Sequence, residues 1–564
     1  MAFIVKKKIS GKIYYYLQEN KRIRLNNGST KVKTKTLAYL GKTKDEAKKR
    51  AKEFLEKNLK DKKIDIEKTE MEKKEISIEE LANFCKRKGF VYISAEIYGG
   101  FSGFWDFGPF GTELKNNIKK EWWKYHVTER DDIVGIDGSI ITNPKVWEAS
   151  GHVASFVDIA VSCKKCGYKT KIDKSEIKNA KCEKCGNEYE IKAEFNPMFT
   201  TEVGPIKENS IKAYLRPETA QLIFINFKNI FENSRLKLPC GIAQIGKAFR
   251  NEIAPRDFLF RSREFEQMEI EYFINPLDEK CPYEIPNIDI LIYSSEAQEK
   301  NLEPEKMKIS EAFKQGIIKK DWHAYWLATE LLWFKNLGAD MNNFRIRQHK
   351  KNELSHYSTD TWDIEYKFPF GWKELEGIAD RGNFDLSQHE KFSKKDLKIF
   401  DQETGKKILP NVICEPSLGV ERAFLVFMFD SFYYDKKREN IVLKLHPKLS
   451  PIKAAILPIV KTNKKIVQLS KKIYNELKKN FNVFYDESGS IGRRYSRQDE
   501  IGTPFCITID EESLKKKDVT IRDRDTTEQI RVPIENLKKI LEELIFQEKN
   551  FSELGKVVNT RKKF

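Results

Sequence analysis

Phe249-Arg250-Asn251-Glu252, the loop Ile253 to Phe260, and Arg261-Ser262-Arg263-Glu264-Phe265 form the stretch that decides how this chain folds. It reads as two strands joined by a loop, which gathers arginines, an acid and an aromatic ring in one place. A guanidinium offers phosphate oxygens a rigid fork. An aromatic face stacks a base, and a carboxylate accepts from an exocyclic amine. Surface ion pairs are the plainer interpretation of the same residues. Downstream, Glu415-Pro416-Ser417-Leu418-Gly419-Val420-Glu421-Arg422 runs into the apolar stretch Ala423 to Phe429. A small-residue loop entering a hydrophobic helix, with one Arg at its start, again suits a phosphate or a base.

The surrounding chain has 564 residues, room for roughly three to four domains. Its 40% hydrophobic and 33% charged residues exclude collagen-like, disulfide-scaffold and mainly disordered chains. Mean hydropathy is −0.60, and no stretch approaches the ~18 apolar residues of a membrane helix. The N-terminal apolar run is too short for a signal peptide, so a cytoplasmic protein without membrane contact is expected. The net charge is +18, and residues 1–60 hold 18 Lys/Arg against 5 Asp/Glu. A basic excess concentrated in a tenth of the chain points to a polyanion, usually nucleic acid; a solubilising tail is the alternative.

Four of the nine cysteines form two pairs, Cys163-x2-Cys166 and, fifteen residues on, Cys182-x2-Cys185, each followed by Gly (Gly167, Gly186). Two such knuckles complete a tetrahedral four-thiolate zinc site. A closed thiolate shell leaves no open coordination position, so the metal is expected to be structural; two redox-active pairs are the alternative. The other five cysteines are scattered, which fits a reducing compartment without a disulfide framework.

Along the chain, Ile13 to Leu17 and Thr34 to Leu40 read as strands, with a turn at Asn26-Asn27-Gly28. Thr43-Lys44-Asp45-Glu46 is a capping box opening a helix with Ala47, Ala51, Phe54, Leu55 and Leu59 on its apolar face. Residues 1–65 are therefore expected to form a small β-β-α basic module, weakly similar to arm-type DNA-binding modules of recombinases. From about Leu445, strands at Ala454 to Val460, Val483 to Tyr485, Phe505 to Ile509, Val519 to Ile521 and Gln529 to Val532 join a helix from Thr462 to Lys479. This alternation marks a compact α/β domain over 446–564.

Taken together, the clusters resemble the signature motifs of class II aminoacyl-tRNA synthetases. Phe-Arg-x-Glu with its loop and Arg-x3-Phe is similar to motif 2, and Ser417 to Arg422 to motif 3. Gly108-Pro109-Phe110-Gly111 with the helix Thr112 to Trp123 is similar to motif 1, which builds the dimer interface. Within the class, the homodimeric glycyl-tRNA synthetase family is the nearest match. The residues that carry it are Glu96 to Gly100, Gly103 to Pro109, Tyr214 to Gln221, Arg263 to Glu269, Trp372 to Ala379 and Gly492 to Tyr495. The likeness runs from about residue 78 to about 548.

The resemblance implies an α+β multidomain chain. A catalytic domain over 66–445 would be built on an antiparallel sheet, with a zinc ribbon at about 160–192 and an insertion at about 275–345. The α/β domain would bind the anticodon. It implies glycine activation by ATP with Mg²⁺, then transfer to tRNA-Gly, by a homodimer carrying structural Zn²⁺. Arg250 would hold the α-phosphate, Arg261 and Arg422 the β- and γ-phosphates, and Phe265 would stack adenine with Arg422 near its other face. Glu252 would lie by the adenine amine, and Glu374 would ligate Mg²⁺. The ATP site would take in Asn251, Phe260, Ser262, Arg263, Glu264, Leu375, Gly419, Val420 and Glu421. Arg250, Arg422 and Glu374 would be catalytic. Glu218, Glu269 and Glu415 would cage the glycine ammonium, and Ser417 would exclude side chains. Phe265, Glu266, Gln267, Met268, Pro416, Leu418 and Gly419 would complete that pocket.

The sequence departs from commoner relatives in its N-terminal 70 residues, in the cysteine ribbon, and at Lys169 to Asp173, where many have Arg-Ala-Asp. Arg345 to Lys351 is a basic stretch that suits the acceptor arm or a solvated face. Arg493, Arg494, Arg497 and Asp523-Arg524-Asp525 suit RNA contact or ion pairs at a core edge. Two other functions compete: another class II amino-acid specificity, and a non-catalytic nucleic-acid binder on the same scaffold.

Overall fold

A computed structural model describes residues 2–9, 12–24, 30–41, 50, 71–155, 158–172, 180–355, 357–401 and 405–558. The chain divides into two compact units, Met1–Lys73 with Tyr433–Asn440, and Lys74–Phe432 with Ile441–Phe564. In the first, strands β1 (Ala2–Ile9), β2 (Lys12–Arg24) and β3 (Thr30–Gly41) pair antiparallel in that order. The stretches Ile13 to Leu17 and Thr34 to Leu40 lie inside β2 and β3. The turn at Asn26 to Gly28 and the capped helix from Thr43 lie outside the described residues.

The second unit is organised by a nine-stranded sheet. In chain order its strands are β4 (Ile133–Gly135), β5 (Cys240–Phe249), β6 (Glu264–Ile274), β7 (Asp289–Tyr293), β8 (Glu305–Lys308), β9 (Phe344–Gln348), β10 (Asp360–Phe368), β11 (Gly371–Asp380) and β12 (Asn411–Gly419). Their spatial order is β8-β7-β9-β10-β11-β12-β6-β5-β4. Every pair is antiparallel except β5 with β4 and β7 with β9. β5 and β6 are the two strands expected around the arginine-rich loop, which turns through Asp257 and Phe258, both left-handed.

One face of the sheet is sealed by three helices. Helix α1 (Pro109–Trp123) starts on a proline, whose fixed φ suits the first helical position. Helix α2 (Asp321–Asn336) and helix α3 (Val420–Asp430) are buried nearly all round, as expected of helices apolar on every side. In α3 the exception is Arg422, which emerges at the N-terminus. The segment 275–345 supplies the edge strand β8, its neighbour β7 and the buried α2, so it is part of the main core.

Cys163 and Cys166 lie on and just after the middle strand of a small antiparallel sheet formed by Asp158–Cys163, Lys169–Ile172 and Tyr189–Phe195. Asp173 lies outside the described residues. The C-terminal region is a mixed six-stranded sheet with its own core, Ala454, Ile456, Ile507, Ile521 and Leu541 among it. Asn463 caps its first helix, Lys464–Leu477, and a short helical turn from Ile534 leads into the last, Leu537–Ile545. The helix Ile491–Glu500 carries Arg493, Arg494 and Arg497.

Candidate active site

Strand alternation builds the site. Side chains at i and i+2 share a face of a strand. On β6, Phe265, Gln267 and Glu269 therefore point one way, and on β12 so do Glu415, Ser417 and Gly419. Register places Glu269 opposite Ser417 and Gln267 opposite Gly419. These residues line a cavity of about 380 Å³ on the sheet face away from α2 and α3. A register shift in β11, between the pairs Ile364–Glu376 and Glu365–Glu374, lets both Glu374 and Leu375 border it.

The floor is acidic. Glu218, Glu269 and Glu415 converge there, all buried. Glu269 accepts from Ser417 Oγ at 2.7 Å and from Thr219 Oγ1. Gln221 Nε2 donates to Glu218 at 3.1 Å and to Asp385 at 2.8 Å. Arg381, 1% exposed, forks onto Asp385 at 2.8 and 2.9 Å, donates to Glu415 at 2.8 Å and lies 3.9 Å over the Tyr357 ring.

The three carboxyls are not equivalent. Burial penalises the Glu218 carboxylate, but His152 at 3.1 Å and Arg381 outweigh it and hold its pKa well below the usual range. Burial, then Glu218, pushes Glu269 up. Burial pushes Glu415 up to about 8; Arg381 opposes the rise, and Glu269 and Glu218 add to it. A cation entering the floor reverses this, because it favours the ionised carboxylate.

The mouth is basic and aromatic. Arg250 Nε donates to the Pro217 carbonyl at 3.0 Å, and its guanidinium lies 5.4 Å from the Phe265 ring. Arg261 pairs with Glu252 at 2.6 Å. Arg422 donates to the Glu374 carbonyl at 2.9 Å and packs 4.6 Å over Phe260. Glu421 accepts from Lys115 at 2.8 Å and from the Glu266 amide at 2.9 Å. Glu252, Ser262 and Leu375 complete the expected residues at the cavity.

Eight expected residues lie off it, mostly for one reason. Glu264, Glu266, Met268, Pro416 and Leu418 are the even-numbered members of the alternation and face away. Glu264 pairs with Lys247, Glu266 with Lys119 at 2.9 Å, and Met268 and Leu418 join the core beneath. Val420 is core, and Asn251 is exposed. Arg263 donates to the Glu252 carbonyl at 3.0 Å and the Ser102 carbonyl at 2.8 Å, so it fastens a neighbouring loop. Gly103 makes that fastening possible, since a Cβ there would meet Pro255 at 2.7 Å. Conversely, His349, Tyr357, Thr361 and Asp363 border the cavity and carry no motif. His349 bonds Asp363 at 2.7 Å, and burial lifts that acid to about 6 against the pull of the imidazole.

Elsewhere, all four Sγ atoms of Cys163, Cys166, Cys182 and Cys185 lie within 4.8 Å of one another. Backbone N–H groups of Lys165 and Cys166 reach Cys163 Sγ at 3.4 and 3.5 Å. None of the nine cysteines is in a disulfide. In the C-terminal sheet, Arg494 is buried against the Pro458 and Ile459 carbonyls, and Arg524 against those of Gly502 and Leu445. Both hold backbone in place, and Arg493 and Arg497 are the exposed members of the set.

Relatives bear on the whole arrangement. Residues 453–544 match a family described as "Anticodon binding domain". The chain is 42% identical to a glycine–tRNA ligase of Borrelia hermsii (strain HS1 / DAH) over 487 residues, 85% of this chain and 100% of the relative. It is 43% identical to that of Thermobifida fusca (strain YX) over 493 residues, 83% and 98% of the two chains. For Geobacillus kaustophilus (strain HTA426) the identity is 44% over 500 residues, 83% and 99%. Likeness this high, covering each relative almost end to end, means that the chain belongs to the glycine–tRNA ligase family.

Proposed function

We propose that this chain joins glycine to ATP and passes the glycyl group to tRNA-Gly. One observation carries the proposal: three carboxylates converge on the floor of a cavity whose mouth holds Arg250, Arg261 and Arg422. The ammonium of glycine would rest among Glu218, Glu269 and Glu415. A glycine carboxylate oxygen attacks the α-phosphorus, the bond to the β-phosphate oxygen breaks, and pyrophosphate leaves with that electron pair. Arg250 faces the charge that builds on the α-phosphate. Arg261 exchanges Glu252 for phosphate, joined by Arg422, while Phe265 offers its ring to adenine. The terminal tRNA adenosine hydroxyl then attacks the glycyl carbonyl and releases AMP. Glu374 and Glu421, oxygen donors at the cavity, suit Mg²⁺, which screens the polyphosphate when bound. ATP–pyrophosphate exchange, one amino acid at a time, tests the proposal; exchange with another amino acid and not glycine overturns it.

Size exclusion sets the specificity. Ser417 stands against Glu269 on the wall, where it would crowd any side chain on the substrate. Ser417→Trp is expected to lower exchange with glycine by about 10–200-fold, with the melting temperature preserved. Unchanged glycine use means the wall lies elsewhere.

Glu415 gives a pH signature. Raised to about 8, it is mostly protonated at pH 7 in the free protein. Glycine binding should therefore release a proton, and glycine affinity should improve as pH rises towards 8. Stability has the matching sign: Glu415 contributes fully below the ordinary carboxylate range and loses that contribution as pH rises through about 8. Calorimetric titration in buffers of different ionisation enthalpy counts the proton; none released at pH 7 refutes the assignment.

The four thiols fit a structural zinc ion. At ~2.3 Å from a tetrahedral ion, sulfurs stand ~3.8 Å apart, close to the 3.4 and 3.5 Å of the Cys163–Cys185 and Cys166–Cys182 pairs. Bound there, zinc would tie the two knuckles together. Cys182→Ser should lower zinc content, measured by atomic absorption, to below half an ion per chain. Proteolysis should then begin within 160–192. Full zinc occupancy in the variant removes Cys182 from the ligand set.

The remaining assignments follow from the family: a homodimer built on α1, and a cytoplasmic enzyme, since translation supplies its substrates. The basic N-terminal module would bind nucleic acid. No helix among the described residues is long and apolar enough to cross a membrane.

A further inference from the structure

The alternation on β6 continues one step below the floor, to Glu271. It is 0% exposed, and neither carboxyl oxygen has a hydrogen-bond partner. Register sets it across from Glu415: Glu269 pairs with Ser417 and Tyr272 with Cys414 on either side. Carboxyl oxygens of Glu269, Glu271 and Glu415 all lie within 4.8 Å of one another. Three ionised groups that close, with water excluded, repel strongly. An isolated buried carboxylate ordinarily takes up a proton.

We propose that Glu271 is a positioning residue for glycine: it stays a neutral acid and, when the ammonium ionises Glu415, donates its proton in a hydrogen bond to that carboxylate from behind. This rests on the glycine assignment above. It gives the unpartnered acid a partner only in the liganded state, and spares the floor a further buried charge. The groups facing Glu271 are Glu415 across the strand, Glu269 on its own strand, and Arg381 with Asp385 behind. Burial first, then Glu415, pushes its pKa well above the usual range, in keeping with the neutral form.

Two variants of the full chain separate the possibilities, read by glycine-dependent exchange from pH 6 to 9. Glu271→Gln keeps a neutral donor of the same shape; its glycine KM should stay within threefold of the parent with the same pH profile. Glu271→Leu removes the donor. Its glycine KM should rise at least tenfold, and the pH at which KM levels off should move up, with ATP KM unchanged and melting no lower. If Glu271→Gln loses glycine as badly as Glu271→Leu, the residue acts as an anion and the proposal fails. It fails equally if Glu271→Leu keeps the parent KM and profile. A parent that shows no exchange with glycine sinks the functional assignment instead, before either variant is compared.

Discussion

Arg250→Ala is expected to lower glycine-dependent ATP–pyrophosphate exchange by about 10²–10³-fold, ~2.7–4 kcal/mol of transition-state stabilisation. The reason is preorganisation. The Pro217 carbonyl holds Nε, and the Phe265 ring lies alongside the guanidinium, so the charge is already in place before substrate arrives. Negative charge grows on the α-phosphate oxygens as the fifth bond to phosphorus forms. A fixed cation beside them stabilises that state more than it does bound ATP, so the loss should fall on kcat more than on the ATP KM. Arg250→Lys keeps the charge without the fork and should recover only a small part. Folding should survive, because Arg250 sits at the mouth of the cavity. Exchange within tenfold of the parent, from protein with an unchanged melting temperature, would remove Arg250 from the chemistry.

The same residue shows what could be read in advance. Arg250, Phe265, Glu269, Glu415, Ser417 and Arg422 stand in short motifs whose spacing survives folding, because each motif is two adjacent strands joined by one loop or one strand-to-helix turn. Neighbours swept in with them fared differently. Glu264, Glu266, Met268, Pro416 and Leu418 occupy the opposite face of the same strands, and a two-residue period separates the sets without any coordinates. Sequence order alone leaves the parity open, and which set faces the cavity follows from the pairing of β6 with β12. His152, His349, Tyr357 and Arg381 were beyond reach for another reason. They come to the cavity or to the acids of its floor from segments far apart in the chain, and their roles depend on partners: the His152 ring meets Glu218 only once the fold brings it to 3.1 Å. Arg494 and Arg524 mislead in the reverse direction, since basic residues near an RNA-binding sheet look like contacts until burial shows them bound to carbonyl groups.

Arg381 is where fold and site share one charge, so its removal should cost both. It is the cation for Asp385 and Glu415 and lies near Glu218 and Glu269, with no water to replace it. Taking away one partner of a buried ionic network leaves uncompensated charge, at ~3–5 kcal/mol. Arg381→Met is therefore expected to lower the urea midpoint by a corresponding amount at pH 7.5. The pH dependence identifies the cause. Without the guanidinium, which opposes the rise, the folded-state pKa of Glu415 climbs further above its unfolded value. Stability relative to the parent is then lost as pH rises through that range and regained on acidification. The deficit should shrink towards pH 5, where Glu415 is protonated. A deficit that is flat from pH 5 to 8 would point to lost packing against Tyr357 and Phe224 instead. Adding Asp385→Leu and Glu415→Gln to the variant removes the stranded charge and should recover most of the stability, since an apolar replacement of a buried ion pair is close to neutral. The glycine KM should stay high in that triple variant, because Glu415→Gln takes one carboxylate out of the ammonium cage. Stability and substrate binding would thus part company at Glu415, whose charge Arg381 balances in the fold.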